Sequence, residues 1–226
     1  YFLDLLNMIS SNFPHIEHTI YTNGLMIDEK IASVLVNINN LYLKFSIDSI
    51  VKETYEYLRS KGKFDILLNN LKLLREIYKS KNKTPNFGVN VIVMKSNLEQ
   101  ISLYPEFCVQ HGVNTLDVSF LADVNPPHLV EENIFYNADE KLLNKVKSII
   151  RITELKCKKY GIKLFCNFDS YVDLENEIVK SKVDIRRSET YGITRENVNQ
   201  KIEYRSRCFW PWHSIYIKCN GKVVPT

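Results

Sequence analysis

Ser46 and Asp48 stand two residues apart at the end of an apolar run, so on a strand their side chains point the same way. A hydroxyl and a carboxylate placed like this can hydrogen-bond a ribose diol or an amino-acid head group. The same pair can instead cap the helix that follows. Thr22 and Asn23 close an earlier apolar run just before Gly24, one strand–helix unit upstream. They either reach the same ligand or only turn the chain. Asn90 interrupts the apolar run from Phe87 to Met94, where a buried amide must find a partner, in a ligand or in the core. Arg59 offers a planar fork that suits a carboxylate, and the bland alternative is a solvated helix end.

The thiols suggest less by themselves. Five cysteines (Cys108, Cys157, Cys166, Cys208 and Cys219) lack paired spacing, which argues against a disulfide framework and for a reducing, cytoplasmic compartment. His111 and His128 lack metal-ligand spacing. A lone cysteine is usually a small buried apolar residue, and Cys108, Cys157 and Cys166 read as core or surface thiols.

The elements that must position these groups alternate along the chain. Helical periodicity marks Phe2 to Ser11. A strand from His18 to Tyr21 precedes a helix capped by Asp28 and running to about Asn37. A second strand, Leu41 to Ile47, is followed by helices over 52–59 and 64–78, the latter with Leu67, Leu71 and Leu74 on one face. Phe87 to Met94 is a third strand, and Ser96 with Glu99 reads as a capping box opening the next helix. Leu116 to Leu121 is a fourth strand. Ala122 to Ala138, with Pro126-Pro127, is a long loop, and a helix from Asp139 to Tyr160 ends at Gly161 before a fifth strand, Ile162 to Cys166. Alternating strands and helices predict an α/β fold with a parallel sheet. In such folds ligands bind where the strands end, which is where Thr22, Ser46 and Asp48 fall.

The tail breaks the pattern. Residues 167–201 form a polar tract, and Asn220-Gly221 between two short apolar runs predicts a two-residue hairpin turn. Of the 226 residues, 45% are apolar and 25% charged, which suits a folded domain and excludes a disordered one. The net charge of +4 comes from scattered lysines, so no nucleic-acid surface is expected, and no stretch is apolar enough to span a membrane. Tyr1 to Met8 reads as the middle of an amphipathic helix, so the sequence reads as part of a longer polypeptide.

Thr22-Asn23-Gly24, then Ser46-Ile47-Asp48-Ser49, then Glu53-Thr54-Tyr55 with Phe64-Asp65, resemble in order and spacing the middle of a radical S-adenosylmethionine enzyme. Val89 to Met94 with Asn97 resembles that family's fifth barrel strand and the turn after it. Cys208-Phe209-Trp210-Pro211-Trp212 and the Asn220-Gly221 hairpin resemble the opening of a SPASM or twitch extension. The resemblance implies a partial (βα)6 TIM-like barrel missing its first two βα units, with a short C-terminal β-hairpin extension. It implies S-adenosylmethionine as cofactor, contacted by Thr22, Asn23, Ser46, Asp48, Asn90 and Arg59. It implies a catalytic [4Fe–4S] cluster with ligands outside this chain, an auxiliary iron–sulfur cluster held partly by Cys208, and a reducing electron donor. The substrate would be a peptide, a protein or a small molecule.

The family's Cys-x-x-x-Cys-x-x-Cys loop and its Gly-Gly-Glu-Pro-like turn have no counterpart here. The expected organisation is a partial barrel over 1–166, a linker over 167–203 and the start of the extension over 204–226. A rival reading is a non-catalytic α/β-barrel binding protein that has lost the cluster loop.

Overall fold

The computed structural model describes residues 2–121, 127–166, 168, 215–217 and 223–225. The chain divides into two compact units, Tyr1–Val172 and Asp173–Thr226.

In the first unit five parallel strands lie side by side in chain order: β1 (His18–Thr22), β2 (Leu41–Ser46), β3 (Phe87–Val93), β4 (Thr115–Phe120) and β5 (Lys163–Cys166). Crossovers of one hand between sequential neighbours put every intervening helix on the same face of the sheet. The helices are α1 (Phe2–Asn12), α2 (Glu29–Leu35), α3 (Lys52–Leu58), α4 (Phe64–Ser80), α5 (Tyr104–His111) and α6 (Glu140–Tyr160). Burial follows that topology. In β2, Leu41, Leu43 and Phe45 are buried while Tyr42, Lys44 and Ser46 between them are only half-buried. A sheet covered on both faces would bury every position. Here one face carries the core and the other is polar.

Leu67, Leu71 and Leu74 of α4 are fully buried, as their spacing predicts, and each contributes about 1.5–3 kcal/mol by leaving water. Asp28 caps α2 by accepting from Ile31 N–H at 2.8 Å, and Asp139 caps α6 by accepting from Leu142 N–H at 2.7 Å. Gly161 ends α6 at φ 69°, a left-handed position natural to glycine.

The polar face is strongly curved. The Tyr21 ring of β1 and the Phe165 ring of β5 belong to the two outer strands, yet both centroids lie within 6 Å of the Lys44 ammonium, at 5.4 and 5.9 Å. Side chains from opposite edges thus converge over the concave face.

The strand count is as read, five for five, and the strand bounds shift by one residue. Two details depart from the sequence reading. The Ser96–Glu99 capping box does not form. Asn97 precedes a 3₁₀ helix over Leu98–Leu103 that leads into α5, Glu99 pairs with Lys145, and Ser96 N–H donates to Glu132. The long loop holds a 3₁₀ turn, Pro127–Glu132, strapped to the end of β3 by Lys95 N–H donating to Glu132 O at 3.0 Å.

In the second unit β6 (Ile215–Ile217) and β7 (Val223–Pro225) pair antiparallel, with Ile217 opposite Val223. A two-residue turn at Asn220-Gly221 would set Ile217 opposite Val224, so the register is one residue away from that expectation. Asn220 and Gly221 lie outside the described residues.

Candidate functional site

The polar face brings Ser46 of β2, Asn90 of β3 and Asp117 of β4 into one row, because Ser46 pairs with Asn90 and Asn90 with Asp117 in the sheet register. All three alternate with buried neighbours and are half-buried themselves. The Ser46 hydroxyl and the Asn90 carboxamide make no side-chain hydrogen bond to any described residue. Neither is an orphan of the core, because each faces the open side of the sheet.

Asp48, two residues beyond β2, is 5% exposed and fully engaged. Its Oδ1 accepts from Ile92 N–H at 3.1 Å, and its Oδ2 lies 2.7 Å from Arg59 Nη2. Arg59 ends α3 and is therefore neither a solvated helix end nor an open fork. Its Nε is buried without a hydrogen bond, close to the buried and unpartnered Tyr55 hydroxyl. Asp48 thus reads as the strut that holds Arg59 at the rim.

Asn97 fastens this corner. It is fully buried, its Nδ2 donates to Asp48 O and to Ile92 O, and its Oδ1 accepts from Met94 N–H at 2.8 Å. Tyr104 adds a hydrogen bond from its hydroxyl to Ile47 O at 2.8 Å. These contacts lock the end of β2 to the end of β3, fixing where Ser46 and Asp48 point. Asn97 enters the sequence reading only as part of a resemblance; nothing local marks it as a bridge between strands.

Thr22 and Asn23 sit one strand away and are turned into their own loop. Thr22 Oγ1 accepts from Gly24 N–H at 3.0 Å, and Asn23 Oδ1 accepts from Leu25 N–H at 3.1 Å. Asn70 of α4 clamps the turn through Gly24 O and Leu25 O. Gly24 is required there: its φ is +72°, and a Cβ would come within 2.6 Å of Leu67 Cδ1.

The sequence reading missed Lys44 and Asp117. Lys44 Nζ is 3.0 Å from Asp117 Oδ2 across the sheet, with only 13% and 15% of the two side chains exposed. Rings of Tyr21, Tyr42 and Phe165 surround the ammonium. Burial works to lower the Lys44 pKa, but Asp117 outweighs it and holds the ammonium charged. Period-two alternation within β2 was the available signal.

Among the described residues no three His, Cys, Asp or Glu side chains converge to hold a metal ion. Cys108 and Cys157 are buried, with burial pushing their thiols up to about 12 and about 11. An iron–sulfur cluster requires thiolates, so Cys108 and Cys157 do not fit one. Cys208 lies outside the described residues. Buried thiols of this kind are also unreactive: iodoacetamide at pH 8 should leave Cys108 and Cys157 unmodified in the native protein and label both in urea, as mapped by mass spectrometry. S-Adenosylmethionine fares differently, since the open hydroxyl and carboxamide of Ser46 and Asn90 fit neutral hydrogen-bonding groups such as ribose hydroxyls.

Fold and site together define a one-sided parallel α/β sheet with a concave polar face. The crystal structure of Streptococcus suis SuiB bound to S-adenosylmethionine shares this fold, with a TM-score of 0.61 and 15% identity over 99% of this chain and 45% of that one. SuiB bound to the precursor peptide SuiA gives 0.60 and 16% with the same coverage. Tagged anSMEcpe with bound AdoMet gives 0.50 and 15% over 72% of this chain and 43% of that one. The chain therefore spans less than half the length of these three solved proteins. No protein-family model matches the chain, and no curated protein matches it in sequence.

Proposed function

We propose that this chain is the S-adenosylmethionine-binding part of a radical S-adenosylmethionine enzyme. The observation that carries the reading is the open Ser46–Asn90 pair on the concave face of a fold shared with a protein crystallised with that molecule. Thr22 and Asn23 would border the cofactor from β1, while Asp48 and Arg59 brace its edge. A [4Fe–4S] cluster would supply the electron for reductive cleavage, and its ligands are sought outside the described residues. Cys208 as a ligand of an auxiliary cluster, a reducing electron donor and a cytoplasmic setting belong to the same proposal. The arrangement over 1–166, 167–203 and 204–226 also remains part of it. A peptide substrate is favoured over a small molecule because the SuiB fold has been solved with a precursor peptide. Among the described residues no helix is long and apolar enough to cross a membrane.

Isothermal titration of the chain with S-adenosylmethionine should show saturable binding. The paired change Ser46→Ala with Asn90→Ala should weaken it by about tenfold, since a typical hydrogen bond contributes about 0.5–1.5 kcal/mol. Absence of binding, or unchanged affinity in the variant, would refute the assignment. One rival is a non-catalytic binding protein. Anaerobic reconstitution of the natural full-length protein with iron and sulfide separates the two: retained iron supports the radical enzyme, and none supports the rival.

A further inference from the structure

A groove of about 1080 Å³ opens at the other end of the sheet from Ser46, where β3, β4 and β5 begin. Its walls are α4, the end of α5 and the link from α6 into β5. Four of its side chains are basic, Lys72, Arg75, Lys79 and Lys83, and one is acidic, Glu76. Lys72, Arg75 and Lys79 follow i, i+3, i+7 spacing on α4, so they form one stripe about 10 Å long. Glu76 offsets little of that charge, because it lies 3.9 Å from Lys72 with both side chains well exposed. The dipole of α4 accounts for Lys79 alone, since Lys72 and Arg75 stand more than a turn before the helix end. Arg75 is half-buried and held in place. Its Nη1 donates to Gln110 O at 2.9 Å, and a Cβ on Gly112 would come within 2.8 Å of its Nε. The rest of its fork makes no hydrogen bond to a described residue. Val109, Tyr160 and Ile162 give the groove an apolar side, and Val109 is 51% exposed. His111 adds no charge at pH 7, because burial and then Arg75 hold its pKa below the ordinary value.

We infer that this groove docks an extended acidic segment of a partner protein, its carboxylates on the Lys72–Arg75–Lys79 stripe and an apolar side chain against Val109. The cations lie along a line instead of converging on a point, which suits a chain carrying several carboxylates better than one small anion. Side chains two residues apart on an extended peptide are about 7 Å apart, so two carboxylates fit along the stripe. Arg75 can offer one of them its remaining donors, and the lysines supply mobile point charges. A nucleic acid would meet the same cations but leave the apolar side uncovered. A second copy of this chain is excluded as a symmetric partner, because the same groove would face itself with the same sign. Exposed ion pairs are individually weak and screened by salt, so docking depends on several acting together and on the apolar contact. The groove and the concave face lie at opposite strand ends, so this inference does not rest on the cofactor reading.

The test is fluorescence anisotropy of the chain with a labelled synthetic peptide in which Glu alternates with Ser and one central Ser is replaced by Leu. Binding should saturate at low ionic strength and weaken as salt is added, and the same peptide with Gln for Glu should not bind. Lys72→Glu combined with Lys79→Glu should weaken binding by about tenfold or more, and both positions are exposed, so the fold is kept. Lys141→Glu combined with Lys147→Glu makes the same change in net charge at exposed positions of α6 outside the groove. That control should leave the affinity within about twofold of the native value. Val109→Ser should weaken the Leu-bearing peptide and leave its all-Ser counterpart unchanged. The inference is overturned if the peptide does not bind, or if the two charge-reversed variants lose affinity equally, which would make net charge the cause. It is also overturned if single-stranded oligothymidylate displaces the labelled peptide at lower concentration than the unlabelled peptide does. Each of these failures would leave the S-adenosylmethionine reading standing.

Discussion

Asn97→Ala should cost about 3–5 kcal/mol, the largest loss from any single change at the rim. The residue is fully buried, and its removal strands two carbonyls and one amide N–H at once. Each buried group left unmatched costs roughly 1–3 kcal/mol, and water can reach only some of them through the small cavity created. Asn97→Asp is the informative companion. It keeps the size and the acceptor for Met94 N–H, but replaces both donated hydrogen bonds with a carboxylate facing the carbonyls of Asp48 and Ile92. It should destabilise at least as much as Ala. Urea unfolding followed by circular dichroism measures both. A loss under about 1 kcal/mol for Asn97→Ala would mean that β2 and β3 hold their relative position without this latch.

Asp48→Ala should follow at about 2–4 kcal/mol. Breaking a buried ion pair by deleting one partner costs up to about 5 kcal/mol because the other charge stays behind, but Arg59 keeps 27% of its side chain exposed and can turn partly to solvent. The Ile92 N–H loses its acceptor as well. Arg59→Met should cost a similar amount, since the carboxylate it leaves behind is only 7% exposed although it retains Ile92 N–H. Asp48 and Asn97 share Ile92 and the end of β2, so their effects should not add. A double-mutant cycle between Asp48→Ala and Asn97→Ala should give a coupling of about 1 kcal/mol or more. Strict additivity would show two independent supports instead of one network. Both changes should also weaken S-adenosylmethionine binding beyond their cost to stability, because both free the strand end that orients Ser46.

Much of this molecule is legible in its sequence because the responsible forces are local. The alternation of Tyr42, Lys44 and Ser46 with Leu43, Phe45 and Ile47 defines a strand with one wet face, and the Leu67–Leu71–Leu74 spacing defines a helix with one dry face. Asp28 and Asp139 announce helix starts, and Gly161 an end, because capping is decided within a few residues. Strand–helix alternation then dictates a parallel sheet whose strand ends hold Thr22, Ser46 and Asp48. The Ser96–Glu99 capping box shows the limit of local reading. Glu99 finds Lys145 and Asn97 finds Asp48 and Ile92, partners that outweigh the local option.

What only tertiary structure decided is how the polar groups were divided among one another. Asp48 looks equally free on paper to meet a ligand, a helix end or an arginine. Packing α3 against the sheet brought Arg59 to it and left Ser46 and Asn90 open. Lys44 and Asp117 are 73 positions apart in the chain, and no pattern in either strand pairs them. They meet because the sheet curves and because Gly88 leaves room for the Tyr42 ring beside them. Sequence sets which side of each strand is polar through the two-residue period of the backbone. Curvature and register, which depend on every strand at once, set which polar groups neutralise each other and which stay available to bind.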